Sequence, residues 1–263
     1  MKTLKFILIA IAVSITSNHY AQDMTAEEVI NTYFENTGGI DAWKSIKGLK
    51  LSAKLNQGGM EIPIDIYQMS DGRTATIINL QGQQFKQNVF DGEVMWAMNF
   101  QTMKAEKMDA ETTANAKLDL NDFPDPFIDW KEKGYAIEMM GMEEFQGSET
   151  IKIKLTMEPY TVEGKEEENV AFYFFDPENF VPIARQSEIK IGQAKGIISE
   201  ATFSDYQEVG DVYMPFSITQ GSKGGPSQPI TFESIEIIED ADASIFAFPE
   251  EAPAEEGDDK NKN

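Results

Sequence analysis

The stretch MEIPIDIYQM, residues 60–69, decides the fold class. Within it, apolar side chains recur at every second position, at Met60, Ile62, Ile64 and Ile66. A period of two is typical of a β-strand that buries one face and leaves the other in water. Antiparallel sheets show this alternation, whereas parallel sheets are covered on both faces and give continuous apolar runs. The stretch therefore predicts an antiparallel sheet.

The same alternation recurs further along the chain, and turn signals separate the runs. Apolar residues alternate within residues 94–100, 151–155 and 212–218. Pairs rich in glycine, aspartate and proline, which are typical of tight turns, lie between the runs: Gly58-Gly59, Asp71-Gly72, Asp91-Gly92, Asp176-Pro177 and Gly224-Gly225-Pro226. From this spacing we predict about five strands before a helical middle and about six after it.

The residues before the first predicted strand indicate a helix. Thr25 and Glu28 have the spacing of a capping box, in which each side chain satisfies a free backbone N–H of the first turn. Apolar residues then recur at helical spacing. The pair Gly38-Gly39 predicts the end of the helix, because glycine adopts the left-handed conformation without strain. Residues 40–46 predict a second, short helix.

The middle of the chain lacks the alternation. Residues 103–118 are rich in Ala, Lys, Glu and Met, which favours a helix, and residues 123–134 predict another short helix. Strands precede and follow this region without α/β alternation, so we predict an α+β fold. The expected architecture is a large curved antiparallel sheet with a few helices packed on its concave face.

The two ends of the chain differ from the part between them. Lys2 and Lys5 flank the start of an apolar run at residues 6–15, which is too short to cross a bilayer as a helix. We predict a signal peptide at 1–22, a single β-rich domain at 23–249 and a disordered acidic tail at 250–263. The chain has no cysteine for a lipid anchor, and we expect no membrane span after signal cleavage.

Composition excludes several classes of function. The chain has no cysteine, and its one histidine, His19, lies in the predicted signal. A Ser-His-Asp or Cys-His nucleophile and a His/Cys metal site are therefore excluded. With 45 acidic and 22 basic residues the net charge is −23, which repels nucleic acid. No phosphate loop or dinucleotide motif is present, so we predict no cofactor and no enzymatic activity.

Four aspartates cluster in the middle region, at Asp119, Asp122, Asp125 and Asp129. Carboxylates at such density suggest calcium, but their spacing does not match an EF-hand loop. Helix caps and a solvated loop are the favoured interpretation, because Asp before Pro is common in turns. We predict no metal site.

Methionine and aromatic residues are the best candidates for ligand contact. The chain contains 13 methionines, and methionine suits surfaces that accommodate variable apolar ligands. An apolar sheet face covered by helices forms either a full core or a lined cavity, and both remain open. Strand parity selects nine candidate lining residues: Ile62, Ile64, Ile66, Trp96, Met98, Phe172, Phe174, Met214 and Phe216. Among arginines, only Arg73 and Arg185 offer a guanidinium to a ligand or partner.

Several short motifs resemble a known family. They are the helix ending at Gly38-Gly39, the sequence IKGL at 46–49, FDG at 90–92 before Met95-Trp96, YFFDP at 173–177 and FSDY at 203–206. Together they resemble the LolA-like periplasmic proteins, in particular the outer-membrane lipoprotein-sorting group of Bacteroidetes-type bacteria. The resemblance implies an unclosed antiparallel β-barrel with an apolar face capped by helices. It also implies a periplasmic location.

This resemblance implies a carrier or sensor for the acyl chains of lipids or lipoproteins, with envelope transfer proteins as further partners. Two alternatives from other classes stay open. The first is a non-catalytic envelope interaction domain with a filled core and an acidic docking face. The second is a glycosidase that uses only two carboxylates.

Overall fold

The structure is a computed structural model that describes residues 24–57 and 59–249. The predicted signal peptide and the predicted acidic tail lie outside the described residues. Three α-helices are present in the described part: α1 (Ala26–Asn36), α2 (Ile40–Ser45) and α3 (Ala110–Leu120). A short 3₁₀-helix, Ala243–Ile245, follows the last strand.

Thirteen strands make up the rest of the regular structure, with both ends of each strand as follows. They are β1 (Gly48–Gln57), β2 (Met60–Met69), β3 (Thr74–Leu80), β4 (Gln83–Phe90), β5 (Met95–Met98), β6 (Ala105–Lys107), β7 (Ala136–Phe145), β8 (Ser148–Val162), β9 (Lys165–Phe175), β10 (Pro182–Glu188), β11 (Ile198–Val209), β12 (Val212–Ser222) and β13 (Ser227–Ile237).

All thirteen strands belong to one antiparallel sheet. Its order is β6-β5-β4-β3-β2-β1-β13-β12-β11-β10-β9-β8-β7. Two meanders of consecutive strands are thus joined by the pairing of β1 with β13. Among the described residues the edge strands β6 and β7 do not pair with each other, so the sheet is not closed. The predicted α+β class and the unclosed antiparallel sheet are confirmed.

Helix α1 begins and ends as the sequence predicts. Thr25 accepts a hydrogen bond from the backbone N–H of Glu28, and the Glu28 carboxylate accepts one from the Thr25 N–H. Gly38 and Gly39 follow the helix with positive φ. A Cβ on Gly38 would lie 2.0 Å from the Asp211 carbonyl oxygen. Only glycine therefore lets the chain pass this close to the β11–β12 turn.

Helix α1 packs its apolar side against the sheet. Val29, Ile30 and Phe34 are buried in the main apolar cluster of the protein. The Tyr33 ring meets Phe175 of β9 edge-on, with ring centroids 6.1 Å apart. The indole N–H of Trp43 on α2 donates to the Thr37 carbonyl at 3.1 Å. These contacts fix both helices on the face of the sheet that carries Phe175.

A second apolar cluster lies around β5. Trp96 is 1% exposed and packs with Met69, Val89 and Phe246. Its indole N–H donates to the Phe246 carbonyl at 3.0 Å. The segment after β13 therefore returns to the first meander and covers it.

The middle of the chain departs from the sequence prediction in two places. The helix predicted at 103–118 begins later, because residues 105–107 pair with β5 as strand β6, and Asp109 then caps α3. The short helix predicted at 123–134 is a series of turns. Pro124 and Pro126 cannot donate the hydrogen bonds of a helix. The Asp125 carboxylate instead accepts from the Phe127 N–H at 2.8 Å.

Candidate ligand site

An apolar cavity of about 220 Å³ lies between the sheet and the turns at residues 124–126. Its apolar wall comes from three neighbouring strands, with two residues from each: Leu49 and Leu51 on β1, Met214 and Ile218 on β12, and Phe232 and Ile235 on β13. Trp43 of α2 also lines it. A mostly apolar cavity with a few polar groups is the usual form of a small-molecule site.

Three oxygen-bearing side chains line the same cavity. The Tyr33 hydroxyl donates to the Asp125 carboxylate at 3.0 Å, and the Tyr206 hydroxyl donates to the Pro182 carbonyl at 2.6 Å. Burial raises the pKa of Asp125 to about 6. Burial, together with the Asp125 charge, raises the pKa of Tyr33 well above its ordinary value. Asp125 is therefore a carboxyl group that changes its charge in mildly acidic solution.

Arg185 is the only arginine that lines the apolar cavity. It lies on β10 directly opposite Tyr173 of β9, and its guanidinium carbon is 6.0 Å from the centre of the Tyr173 ring. The Nε atom of Arg185 is buried and has no hydrogen-bond partner among the described residues. The ion pairs of the described part of the chain do not include this arginine.

A second cavity, of about 610 Å³, lies on the other side of Arg185. Its wall is more polar and includes Thr112 and Asn115 of α3 and Ser187 of β10. Arg185, Tyr173 and Pro126 line both cavities. The guanidinium therefore stands at the boundary between an apolar and a polar space.

The other arginine is held elsewhere. The Arg73 guanidinium pairs with Asp71 at 2.8 Å and with Asp240 at 3.0 Å. Its carbon also lies 4.9 Å from the centre of the Phe246 ring. Arg73 thus fastens the segment after β13 to the β2–β3 turn.

The four clustered aspartates each contact a different group of the protein. Asp119 accepts from the Tyr160 hydroxyl, and Asp129 pairs with Lys44. Asp122 accepts from Tyr135 at 2.9 Å and from Lys133 at 3.2 Å. Within residues 24–57 and 59–249, no three acidic side chains form a group that could hold a metal ion.

Comparison with protein-family models and with curated proteins gives no match. Comparison with solved structures gives several. A LolA superfamily protein from Nitrosomonas europaea superimposes with a TM-score of 0.50 at 10% identity, over 85% of this chain and 98% of the other. A DUF1329 family protein from Desulfovibrio piger gives 0.50 at 12% identity, over 84% and 96%. The chain has a LolA-like fold.

A third match extends this comparison. A putative outer membrane lipoprotein-sorting protein domain from Vibrio parahaemolyticus has a TM-score of 0.49 at 12% identity, over 83% of this chain and 94% of the other. At such identities the likeness concerns the fold alone. Within the described part of this LolA-like chain, the helices are all too short or too polar to cross a membrane.

The LolA-like sheet does not bring the nine predicted lining residues together. Met214 lines the apolar cavity, and Ile66 and Phe216 pack on the main apolar cluster near it. Ile62 and Ile64 are buried on β2. The other four predicted residues lie in two separate clusters.

Those four residues are placed by the burial of neighbouring elements. Trp96 and Met98 belong to the cluster around Phe246. Phe172 and Phe174 pack near Phe145, away from the cavity. Because side chains alternate along β9 and Tyr173 lines the cavity, the residues on either side of it face away.

Sequence reasoning missed most of the cavity wall. Leu49 and Leu51 alternate with Lys50, and Phe232 and Ile235 surround the β-bulge where β13 pairs with β1. The first pair follows the same period-two signal that selected Ile64. The second pair is out of register with a period of two, because the bulge shifts the pairing between Ser52 and Ala53.

Proposed function

We propose that this protein is a periplasmic carrier or sensor that binds the acyl chain of a lipid or lipoprotein in its apolar cavity. The observation that carries the proposal is the cavity lined by Leu51, Met214 and Ile218. Burial of apolar surface contributes about 0.8 kcal/mol per CH₂ group. An acyl chain therefore gains affinity along its length without any specific polar contact.

The proposal requires neither a cofactor nor a catalytic group. The LolA-like fold supports it, since the resemblance of the sequence motifs implies acyl-chain carriage in that family. The periplasmic location rests on the predicted signal peptide and on the same resemblance. Transfer to a partner would require the ligand to leave between the sheet and the turns at residues 124–126.

The proposal is tested on protein purified from a bacterial periplasm without detergent. Native mass spectrometry and uptake of a fluorescent fatty acid measure occupancy of the cavity. We expect one bound lipid per protein. Replacing Ile218 by Trp fills the cavity and is expected to reduce uptake at least tenfold, since it removes room for several CH₂ groups.

The matched control is Ile237→Trp on the neighbouring strand. Ile237 is 39% exposed and does not line the cavity, so this variant should take up the fatty acid like the unmodified protein. Circular dichroism checks that both variants are folded. A protein without bound lipid that also takes up no fatty acid would contradict the proposal. An interaction domain with a filled core would then explain the fold better.

A further inference from the structure

Arg185 carries a charge that the protein itself leaves incompletely satisfied. Its buried Nε donates to no atom among the described residues. A buried donor without a partner costs free energy, and more so when the group is charged. Side chains of this kind are retained when a ligand supplies the missing acceptor. The nearest aromatic neighbour, Tyr173, offers a ring face at 6.0 Å rather than an ion pair.

The surrounding carboxylates are engaged by other donors. Asp125 accepts from Tyr33 and from the Phe127 N–H. Asp122 accepts from Lys133 and Tyr135. Asp119, the remaining carboxylate of this region that faces the polar cavity, accepts from the Tyr160 hydroxyl. These carboxylates influence the guanidinium through space, but none lies within ion-pair distance of it.

The position of Arg185 indicates the kind of ligand. One side of the residue lines the apolar cavity and the other lines the polar cavity. A molecule that occupies both spaces must have an apolar part and a polar part joined near the guanidinium. We propose that Arg185 binds the anionic head group, a carboxylate or a phosphate, of an amphiphile whose chain fills the apolar cavity. This inference rests on the proposed function, because it assumes that the cavity takes an acyl chain.

Guanidinium chemistry fits this role. The planar group donates through Nε and Nη together and matches the two oxygens of a carboxylate or phosphate. Such charge-assisted bonds are stronger in a site that excludes water than on a surface. Thr112, Asn115 and Ser187 in the polar cavity provide further donors for a larger head group.

The charge of the whole protein argues against binding a free anion. With a net charge of −23, the molecule repels small anions from solution. An anion attached to an acyl chain is delivered by apolar burial and is not limited by that repulsion. We therefore expect the chain and the anionic group to be needed together.

Equilibrium dialysis with radiolabelled palmitate, hexadecanol and inorganic phosphate tests the inference at pH 8. Palmitate and hexadecanol have the same chain length and differ in the charge of the head group. We expect palmitate to bind about ten- to a hundredfold more tightly than hexadecanol, as for a hydrogen bond to a charged group. Inorganic phosphate should neither bind measurably nor displace palmitate. Hexadecyl phosphate should compete with palmitate.

Two variants locate the effect. Arg185→Met should lower the affinity for palmitate to that for hexadecanol and leave hexadecanol binding unchanged. Arg73→Met removes the other arginine, which lines neither cavity, and should preserve the preference for palmitate. If Arg185→Met does not fold, the comparison of palmitate with hexadecanol on the unmodified protein still decides the inference.

The possible failures are distinct from one another. Equal binding of palmitate and hexadecanol overturns the anion site but leaves the carrier function intact. Binding of neither chain overturns the carrier function and this inference with it. Displacement of palmitate by inorganic phosphate at similar concentration overturns the amphiphile and indicates a site for free anions.

Discussion

Asp125 and Tyr33 join two parts of the protein that are far apart in sequence. The Tyr33 hydroxyl of α1 donates to the Asp125 carboxylate in the turns that cover the cavity, at 3.0 Å. Burial raises the pKa of Asp125 from 3.8 to about 6. The folded protein therefore holds a proton on Asp125 more tightly than the unfolded chain does, and this group couples stability to pH.

The sign of the coupling follows from the raised pKa. The stabilising contribution of protonated Asp125 is complete below pH 3.8 and is lost as the pH rises through about 6. Replacing Asp125 by Asn removes this contribution to the pH profile. Relative to the variant, we expect the unmodified protein to lose roughly 1–3 kcal/mol of unfolding free energy across this interval. Urea denaturation at a series of pH values measures the difference.

Asp129→Asn is the control for this prediction. Asp129 lies in the same turns but pairs with Lys44 at a partly exposed position. Surface pairs of this kind contribute about 0–1 kcal/mol, so the control should follow the pH profile of the unmodified protein. Parallel profiles for the unmodified protein and Asp125→Asn would show that Asp125 is not coupled to folding.

At the residue scale, the sequence could reveal which strands have a buried face but not which cavity each face lines. Phe172 and Phe174 look equivalent to Tyr173 by hydrophobicity, and only the packing of β9 distinguishes them. Arg185 gave one signal, its rarity as one of two arginines. Its lack of a partner depends on β10 and the turns at residues 124–126 coming together, which no local pattern contains.

Among the elements, α3 has the most specific attachment. The Asn115 amide N–H donates to the Thr161 carbonyl at 2.6 Å, and the Thr161 N–H donates to the Asn115 carbonyl oxygen at 2.9 Å. The Glu111 carboxylate accepts from the N–H groups of Glu163 and Gly164. Helix α3 is therefore fastened to the β8–β9 hairpin by side chains that bind its backbone.

Replacing Asn115 by Ala tests this attachment. Asn115 is 4% exposed, and its loss leaves the Thr161 N–H and carbonyl without partners. We expect a loss of about 1–3 kcal/mol in unfolding free energy and faster amide hydrogen exchange within α3. Both are measured on the same purified protein.

Lys117→Ala provides the comparison on the same helix. Lys117 is exposed, so its replacement should change stability by no more than about 0.5 kcal/mol. Unchanged hydrogen exchange of α3 in Asn115→Ala would mean that apolar packing, rather than the Asn115 bonds, holds the helix.

Elements with local signals were predicted well. The capping box at Thr25 and Glu28 and the glycines after α1 define that helix within the sequence itself. The region at residues 103–118 was harder, because its helix-favouring composition extends over β6. The pairing of Trp96 with Lys107 decides that these residues form a strand, and this contact joins positions that composition treats separately.

The whole molecule carries a large excess of negative charge. Its net charge is −23, and charge of one sign destabilises a compact state by self-repulsion. Ion pairs such as Lys54–Glu233 lie at the surface and offset little of this. Electrostatic repulsion is therefore expected to lower stability at low ionic strength.

Thermal unfolding at increasing concentrations of sodium chloride measures this repulsion. Between about 0.01 M and 1 M salt the screening length falls from about 30 Å to about 3 Å. We expect the Tm to rise, with roughly 2–4 °C for each 1 kcal/mol gained. Near the isoelectric point of about 4.3 the effect should largely disappear. A Tm that falls with salt at neutral pH would show that the ion pairs outweigh the repulsion.

The unclosed sheet has a mechanical consequence. In a closed barrel the circumference is fixed by a complete ring of backbone hydrogen bonds. Here the ring is interrupted between β6 and β7, and α3 spans the interruption by contacting β5 and β8. Side-chain contacts alone thus limit the girth of the sheet at this point. The protein can dilate to admit a thicker guest while all twelve strand pairings remain intact.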